Sequence, residues 1–560
     1  MRKKIGAGFF AETVDNASVE NSENKQPNKR DQQEQEKFFS AAKIVAVITM
    51  MSRILGLIRD RLIFGIGKNV IADRFLWAFA IPNMFRRLFG EGALTAAFLP
   101  VFTDVAGKDG WARARKVLAN VLGILALILT AITILVAVGF WIGVQFVGAD
   151  AMRIFQLRAT ALMLPFMITI CMLAVCSTAL NCKGHFVYPA LAPIILNICL
   201  IVGAGFIAPW LGDSDESKFY ILGACVVIAG VIQLIGAYWM LARVNLSAIP
   251  KLKPILPEIF AIAKQMLPMM IPLGILQFSA FADQTIALAF SGEGLPLEPG
   301  VVRNLQAAMR LYTLPLGVLA IPVGTVVFPL LSRYAMRDDK LGLCKTTNRA
   351  LRLSFFLGIP AAIGLFVLAE PIVKMIFEKN KFTAENTKQA AFILRMYTFG
   401  LWAYFVNQIL LRAFYAVKKP GKPLKIACCL VVLNLMLVLG GIFTPLAGGA
   451  IGLATAITQS INAILLIFLL RKMWGNIGLK KIAISVAKIL LASALMGSAI
   501  YFTISNNIFA FSIDLKLFII APVVMHVLAA VCAGLITFFA AVKILKCAEL
   551  EELFRKKIED

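Results

Sequence analysis

The sequence predicts an all-α polytopic membrane protein with about fourteen transmembrane helices. Two six-helix lobes plus two C-terminal helices are the natural division of that number. Three observations lead there. Hydrophobic residues make up 60% of the 560 and mean hydropathy is +0.82, against about 45–50% apolar in a soluble domain. Apolar runs of membrane-spanning length recur from residue 41 to 545. Between them no polar stretch exceeds roughly twenty residues, so no soluble domain interrupts the series.

In chain order, residues 1–40 are polar ("NASVENSENKQPNKRDQQEQEK"), lack a signal-peptide core, and read as a disordered cytoplasmic tail. The expected spans are 42–66, 70–103, 117–146, 152–181, 187–210 and 219–242 for the first lobe (41–245). Those of the second lobe (246–472) are 257–290, 302–331, 350–378, 387–416, 424–444 and 448–470. Spans 482–504 and 516–542 fill 473–545, and 546–560 is a cytoplasmic tail. Lys and Arg concentrate in alternate loops, among them "AGKDGWARARK", "SRYAMRDDKLGLCKTTNR", "VKKPGK" and "RKMWGNIGLKK". The other loops ("VGAD", "GDSDESK", "SGEGLPLEPG", "PLAGG") are nearly free of them. The positive-inside rule places both termini in the cytoplasm. It also accounts for the net charge of +25 without nucleic acid.

An internal echo supports two lobes. "CKGHFVYPALAPIILNI" and "VKKPGKPLKIACCLVVLNL" each run from a basic loop through a proline (Pro189, Pro423) into an apolar helix reaching Asn197 or Asn434. They lie six spans apart, which gives repeats of parallel topology. Prolines inside spans (Pro82, Pro165, Pro272, Pro315, Pro322) predict kinks or breaks. The ten cysteines show no metal-ligand spacing, and His185 and His526 lie far apart, so neither a metal nor a cofactor is expected.

Charges inside the spans carry the functional signal. Arg53 lies about eleven residues into its span, roughly 16 Å at helical rise and beyond easy reach of either interface. Arg59 and Asp60 follow it; span 2 carries Asp73, Arg86, Arg87 and Glu91, span 7 Asp283 and span 8 Arg310. Within a helix, partners stand three or four residues apart. Arg87 has Glu91, whereas Arg53, Arg59, Arg86 and Arg310 have no acid at that spacing. Asp60 and Asp73 supply two negative charges at most. The remaining positive charge asks for an external anion, and guanidinium suits phosphate or carboxylate. Asp283 either answers an arginine or binds a cation.

"SRILGLIRD", "ADRFLWAFAIPNMFRRLFGEGALTAAFLPVF" and "LYTLPLGVLAIPVGTVVFPLLS" resemble the MurJ (MviN) family of bacterial lipid II flippases. The resemblance runs from about residue 41 to the C-terminus, and PN-x-x-RR-x-F-x-EGA is its most specific motif. It implies the multidrug/oligosaccharidyl-lipid/polysaccharide exporter fold in the bacterial inner membrane, with a central cavity between the lobes and a groove for the lipid tail at the last two spans. It implies lipid II as cargo, the cell-wall synthesis machinery as a partner, and no enzymatic chemistry. By motif, Arg53, Arg59, Arg86 and Arg310 correspond to substrate-binding residues, and Asp60, Asp73, Arg87, Glu91 and Asp283 to cavity or gating residues. Two positions depart from the pattern. Met309 stands before Arg310 where some relatives have Asp. Val438 stands one turn after Asn434 where relatives with a sodium set have Asp.

Four rivals remain, one of them a non-transporting scaffold, which does not explain four arginines without helical partners in the membrane. A flippase for another polyprenyl-pyrophosphate glycan would need the same arginines. A drug or cation exporter of the same superfamily would line its cavity with unpaired acids instead. A membrane glycosyltransferase or phosphatase would need catalytic groups on a sizeable loop, and the loops are short.

Overall fold

The computed structural model describes residues 29–90, 92–146, 150–506, 513–515, 518–520 and 522–554. The first half of the chain forms α1 (Lys29–Phe64), α2 (Asn69–Phe85), α3 (Ala93–Lys108), α4 (Gly110–Phe146), α5 (Ala151–Met163), α6 (Pro165–Cys182), α7 (Val187–Val202), α8 (Ala208–Leu211) and α9 (Asp215–Arg243). The second half forms α10 (Pro257–Ala289), α11 (Val301–Pro315), α12 (Ile321–Met336), α13 (Lys340–Val367), α14 (Ala369–Phe377), α15 (Ala384–Thr398), α16 (Leu401–Ala416), α17 (Gly421–Gly441) and α18 (Gly449–Trp474). Two long helices, α19 (Leu479–Ser505) and α20 (Pro522–Ile544), and the short α21 (Ala548–Phe554) complete it.

Eleven helical runs among the described residues are long and apolar enough to cross a membrane, or twelve with the bent pair Pro257–Met270 and Leu273–Ala289. The expectation of fourteen is therefore not met on that standard. The two expected spans outside it are helical. One is α1, whose final turns carry Arg53, Arg59, Asp60 and Arg61. The other is the α15–α16 run, broken at Phe399 and Gly400. Of the expected disordered segment 1–40, residues 1–28 lie outside the described residues, and 29–40 are helical, because α1 begins at Lys29. Two further expectations are corrected. The expected span 516–542 starts later, at Pro522, where proline suits the first helical turn. Ahead of it Ile513–Leu515 and Phe518–Ile520 pair as an antiparallel hairpin, which β-branched and aromatic residues favour. The C-terminal tail also docks. Glu549 of α21 is buried and accepts from Arg352 Nη1 at 2.6 Å and Ser485 Oγ at 2.8 Å.

The prolines do break helices. Leu164 and Pro165 divide α5 from α6. Pro82 precedes a π-helical turn at Arg86–Gly90, and Pro315 and Pro322 bracket another at Leu316–Ala320. A proline removes one ladder donor and crowds the preceding turn, and a wider turn absorbs the misfit.

The packing separates two bundles. In the first, α1 packs on α7, α6 on α9 and α2 on α5. In the second, α11 packs on α15, α13 on α16 and α17 on α18. The helices α19 and α20 pack on each other, and α19 on α13, at the outer side of the second bundle. The linker between bundles is pinned to α4. Lys251 N donates to Ala119 O at 2.9 Å, and Asn120 both donates to Lys251 O and accepts from Leu256 N, at 3.0 Å each. Gly123 leaves room for the Lys251 backbone, which a Cβ would meet.

The six-span echo appears in the contacts. Asn197 on α7 accepts from Arg59 of α1, and Asn434 on α17 donates to Asp283 of α10, both at 2.9 Å. Each asparagine is buried, and each bonds a charged residue on the first helix of its own bundle.

Candidate functional site

The bundles meet along α1, α2, α10 and α11. Near the end of α1, Arg59 Nη2 donates to Asp60 Oδ1 at 2.6 Å and Nε to the same oxygen at 2.9 Å. Its remaining arm holds Asn197, whose Nδ2 donates to Ser52 O at 2.9 Å. The other carboxylate oxygen, Asp60 Oδ2, lies 2.6 Å from Arg310 Nε of the opposite bundle. That contact is an ion pair without hydrogen-bond geometry. One carboxylate, 5% exposed, is thus shared by two guanidiniums from two bundles. The positive fields of Arg310 and Arg86 both reach Arg59. Arg86 Nε donates to Asn83 Oδ1 at 2.9 Å. Counting acids only at i±3 and i±4 missed that Asp60, at i+1, serves Arg59. It could not show which helix Arg310 faces.

Beside this bridge lies a cavity of about 120 Å³ between α2, α10 and α11, lined by Asn83, Arg87, Gln277, Gln284, Gln306 and Arg310. The Arg310 side chain is 44% exposed, the most accessible part of the bridge. Arg53 lies one and a half turns before Arg59 on α1. Among the described residues it has no hydrogen-bond or ion-pair partner, and its guanidinium rests against Gly317 of the second bundle. Glu91 lies outside the described residues, so its pairing with Arg87 does too.

Asp73, expected to orient an arginine, meets no guanidinium among the described residues. Its oxygens accept from Gly300 N and Arg303 N, at 2.8 Å each. These are the first amides of α11. Gly300, at φ +102°, has no side chain to cap that helix, so a carboxylate from the other bundle does it. The helix N-terminus carries partial positive charge, which a carboxylate stabilises.

Around this cap the bundles are closed at the end where α1 finishes. Arg303, fully buried, donates to Phe64 O at 2.9 Å, to Lys381 O at 3.3 Å, and to Asn69 Oδ1. Asn69 Nδ2 donates to Pro299 O at 3.1 Å, and Trp77 Nε1 to Thr285 Oγ1 at 2.9 Å. The Phe64 ring packs on Phe377 and Phe382, with centroids 5.4 and 6.3 Å away. Sequence reasoning missed Arg303 because it stands at the start of a helix, where a charge is unremarkable. The available signal was its spacing, two turns before Arg310 on one face.

Asp283, also buried, accepts from Asn434 and meets no arginine among the described residues. Val438 beside it is buried and apolar. Among the described residues no group of three or more His, Cys, Asp or Glu side chains is arranged to hold a metal ion.

Two bundles of membrane-length helices, closed at one end and bridged by charges, define a polytopic all-α membrane protein. The comparisons make the family specific. The family described as "Lipid II flippase MurJ" matches residues 63–521. A probable lipid II flippase MurJ of Rhizobium tropici is 32% identical over 461 residues, 81% of this chain and 85% of that protein. The lipid II flippase MurJ of Burkholderia cenocepacia is 30% identical over 447 residues, covering 78% and 84%. The chain belongs to the lipid II flippase MurJ family. Solved structures share the fold. A lipid II flippase MurJ in an inward closed conformation superposes with TM-score 0.71 at 24% identity, covering 89% of this chain and 98% of that one. An inward-facing multidrug resistance MATE family transporter of the MOP superfamily gives 0.63 at 15% identity, covering 78% and 98%.

Proposed function

We propose that this protein carries lipid II, the undecaprenyl-pyrophosphate-linked disaccharide-pentapeptide, from the cytoplasmic to the periplasmic leaflet by alternating access. Family membership supports the cargo. The single structural observation that carries the mechanism is the Arg59–Asp60–Arg310 bridge. It concentrates guanidinium between the bundles with one carboxylate to balance it. A pyrophosphate entering the cavity competes with Asp60 for Arg310 and is held by Arg59, Arg86 and Arg310, with Arg53 engaging it on the way in. Charge-assisted bonds from Arg are the strong ones for phosphate oxygens.

The termini lie on the cytoplasmic side by the distribution of Lys and Arg, so the sealed end is periplasmic. Asp73 and Arg303 form the periplasmic gate. Breaking their contacts as the bundles rock opens the cavity outward. The lobes are 41–245 and 246–472, and 473–545 forms the groove for the polyprenyl tail, which stays in the lipid while the head group crosses.

Lipid II sidedness in depleted cells tests this, with rescue by wild type or Arg59→Ala. Accumulation facing the cytoplasm, reversed by wild type alone, is expected. Normal outward exposure after depletion, in cells with no second flippase, overturns the cargo assignment in favour of another pyrophosphate-linked glycan.

A further inference from the structure

Along α11, the π-helical turn and α12, every seventh position from 303 to 324 carries an arginine or receives one. Position 303 is the gate arginine, and position 310 the bridge arginine. The next two positions are Gly317 and Gly324, and each receives a guanidinium from elsewhere. Arg53 of α1 lies against Gly317, and Arg412 of α16 against Gly324. A Cβ at either glycine would overlap the guanidinium seated there. From Arg310 to Gly324 the stripe runs about 20 Å at helical rise. It leads from the bridge toward the side where α12 and α16 end.

Arg412 has no role yet. It is half-buried, and Nη1 donates to Ile321 O at 3.2 Å. That carbonyl already accepts from Thr325 Oγ1 at 2.8 Å, so it does not need Arg412 for its satisfaction. A guanidinium carries five N–H donors. Among the described residues Arg412 has no ion-pair partner and no second hydrogen bond. An unpaired arginine within a membrane-spanning bundle is costly and normally faces a wet cavity or a ligand. Arg53 is in the same condition one step along the stripe.

We propose that Arg412 is a further substrate-binding residue. Together with Arg53 it forms a loading site for the diphosphate on the terminus side of the Arg59–Asp60–Arg310 bridge, each guanidinium seated where a glycine leaves room for it. The proposal rests on the lipid-diphosphate reading above. Unlike Arg59 and Arg310, these two arginines pair with no carboxylate among the described residues, so an anion reaches them without displacing one. They capture the diphosphate first, and the bridge takes it over when Asp60 gives way.

The test uses full-length protein in nanodiscs, with undecaprenyl pyrophosphate as the probe and its Kd as the readout. Wild type, Arg412→Gln, Gly324→Ala and Arg59→Gln are compared, each with its melting temperature. Loss of one charge-assisted bond in a wet site predicts about tenfold weaker binding for Arg412→Gln. A similar loss is expected for Gly324→Ala, which keeps the charge but displaces it. If Arg412→Gln does not fold, Gly324→Ala decides. Wild-type affinity in either folded variant, with Arg59→Gln defective, assigns Arg412 a structural role and overturns the loading site while the proposed function stands. Absence of binding by wild type, or full affinity in Arg59→Gln, removes the parent reading and the loading site together.

Discussion

The Asp73 carboxylate is the sharpest point at which to perturb the conformational cycle. It is 1% exposed and accepts two backbone N–H groups from the opposite bundle, at 2.8 Å each. Asp73→Asn is nearly isosteric. It keeps one acceptor and turns the other into an NH₂ opposed to an N–H donor. The charge-assisted bond lost is worth about 1.5–3 kcal/mol. The lost interaction of a carboxylate with a helix N-terminus adds about 0.3–2 kcal/mol. Together they weaken the sealed end by about 2–5 kcal/mol, at least a 30-fold shift toward the state open at that end. Spin labels at Asp213 and Glu293, exposed in turns of the two bundles, read it as a distance distribution. The native exposed thiols Cys429 and Cys532 are first replaced. A long-distance population should rise in Asp73→Asn while the helical content is unchanged. An unaltered distribution would refute the idea that this cap holds the bundles together.

Other perturbations follow from the same contacts. Asp60→Asn leaves Arg59 and Arg310 facing each other without a shared counter-charge; outward exposure of lipid II in complemented cells should fall at least tenfold, as one lost charge-assisted bond of about 1.5–3 kcal/mol requires. Arg303→Met removes the donor to Phe64 O, Lys381 O and Asn69; with about 1–3 kcal/mol for each acceptor left unmet, the detergent-solubilised protein should melt several degrees lower, and an unchanged melting curve would sink the assignment of Arg303 as a gate tie. Glu549→Gln weakens the hold of Arg352 and Ser485 on α21; tryptic cleavage at Lys546 should quicken while transport persists.

The sequence determined the class, most element boundaries and the list of charged candidates. Each rests on local physics. Runs of apolar residues must be helical inside a bilayer because every backbone group has to be satisfied within its own segment. Prolines mark the breaks at 164–165 and 316–320 for the same local reason. Even the six-span repeat was legible, since Asn197 and Asn434 occupy matching places in two similar segments. The hairpin before α20 was hidden by its composition, because a short apolar run reads equally as a strand or a helix end.

What only the tertiary structure decided is which charge meets which. Asp60 divides itself between a neighbour in its own helix and Arg310 some 250 residues away. Asp73, grouped by sequence with the arginines, belongs to a helix N-terminus in the other bundle. Arg303 and Arg412 carried no signal strong enough to select them. Within one helix the 3.6-residue period fixes a residue's neighbours. Between helices, partners depend on the face each presents, the depth at which they cross and the bends between, and packing of the whole bundle sets all three.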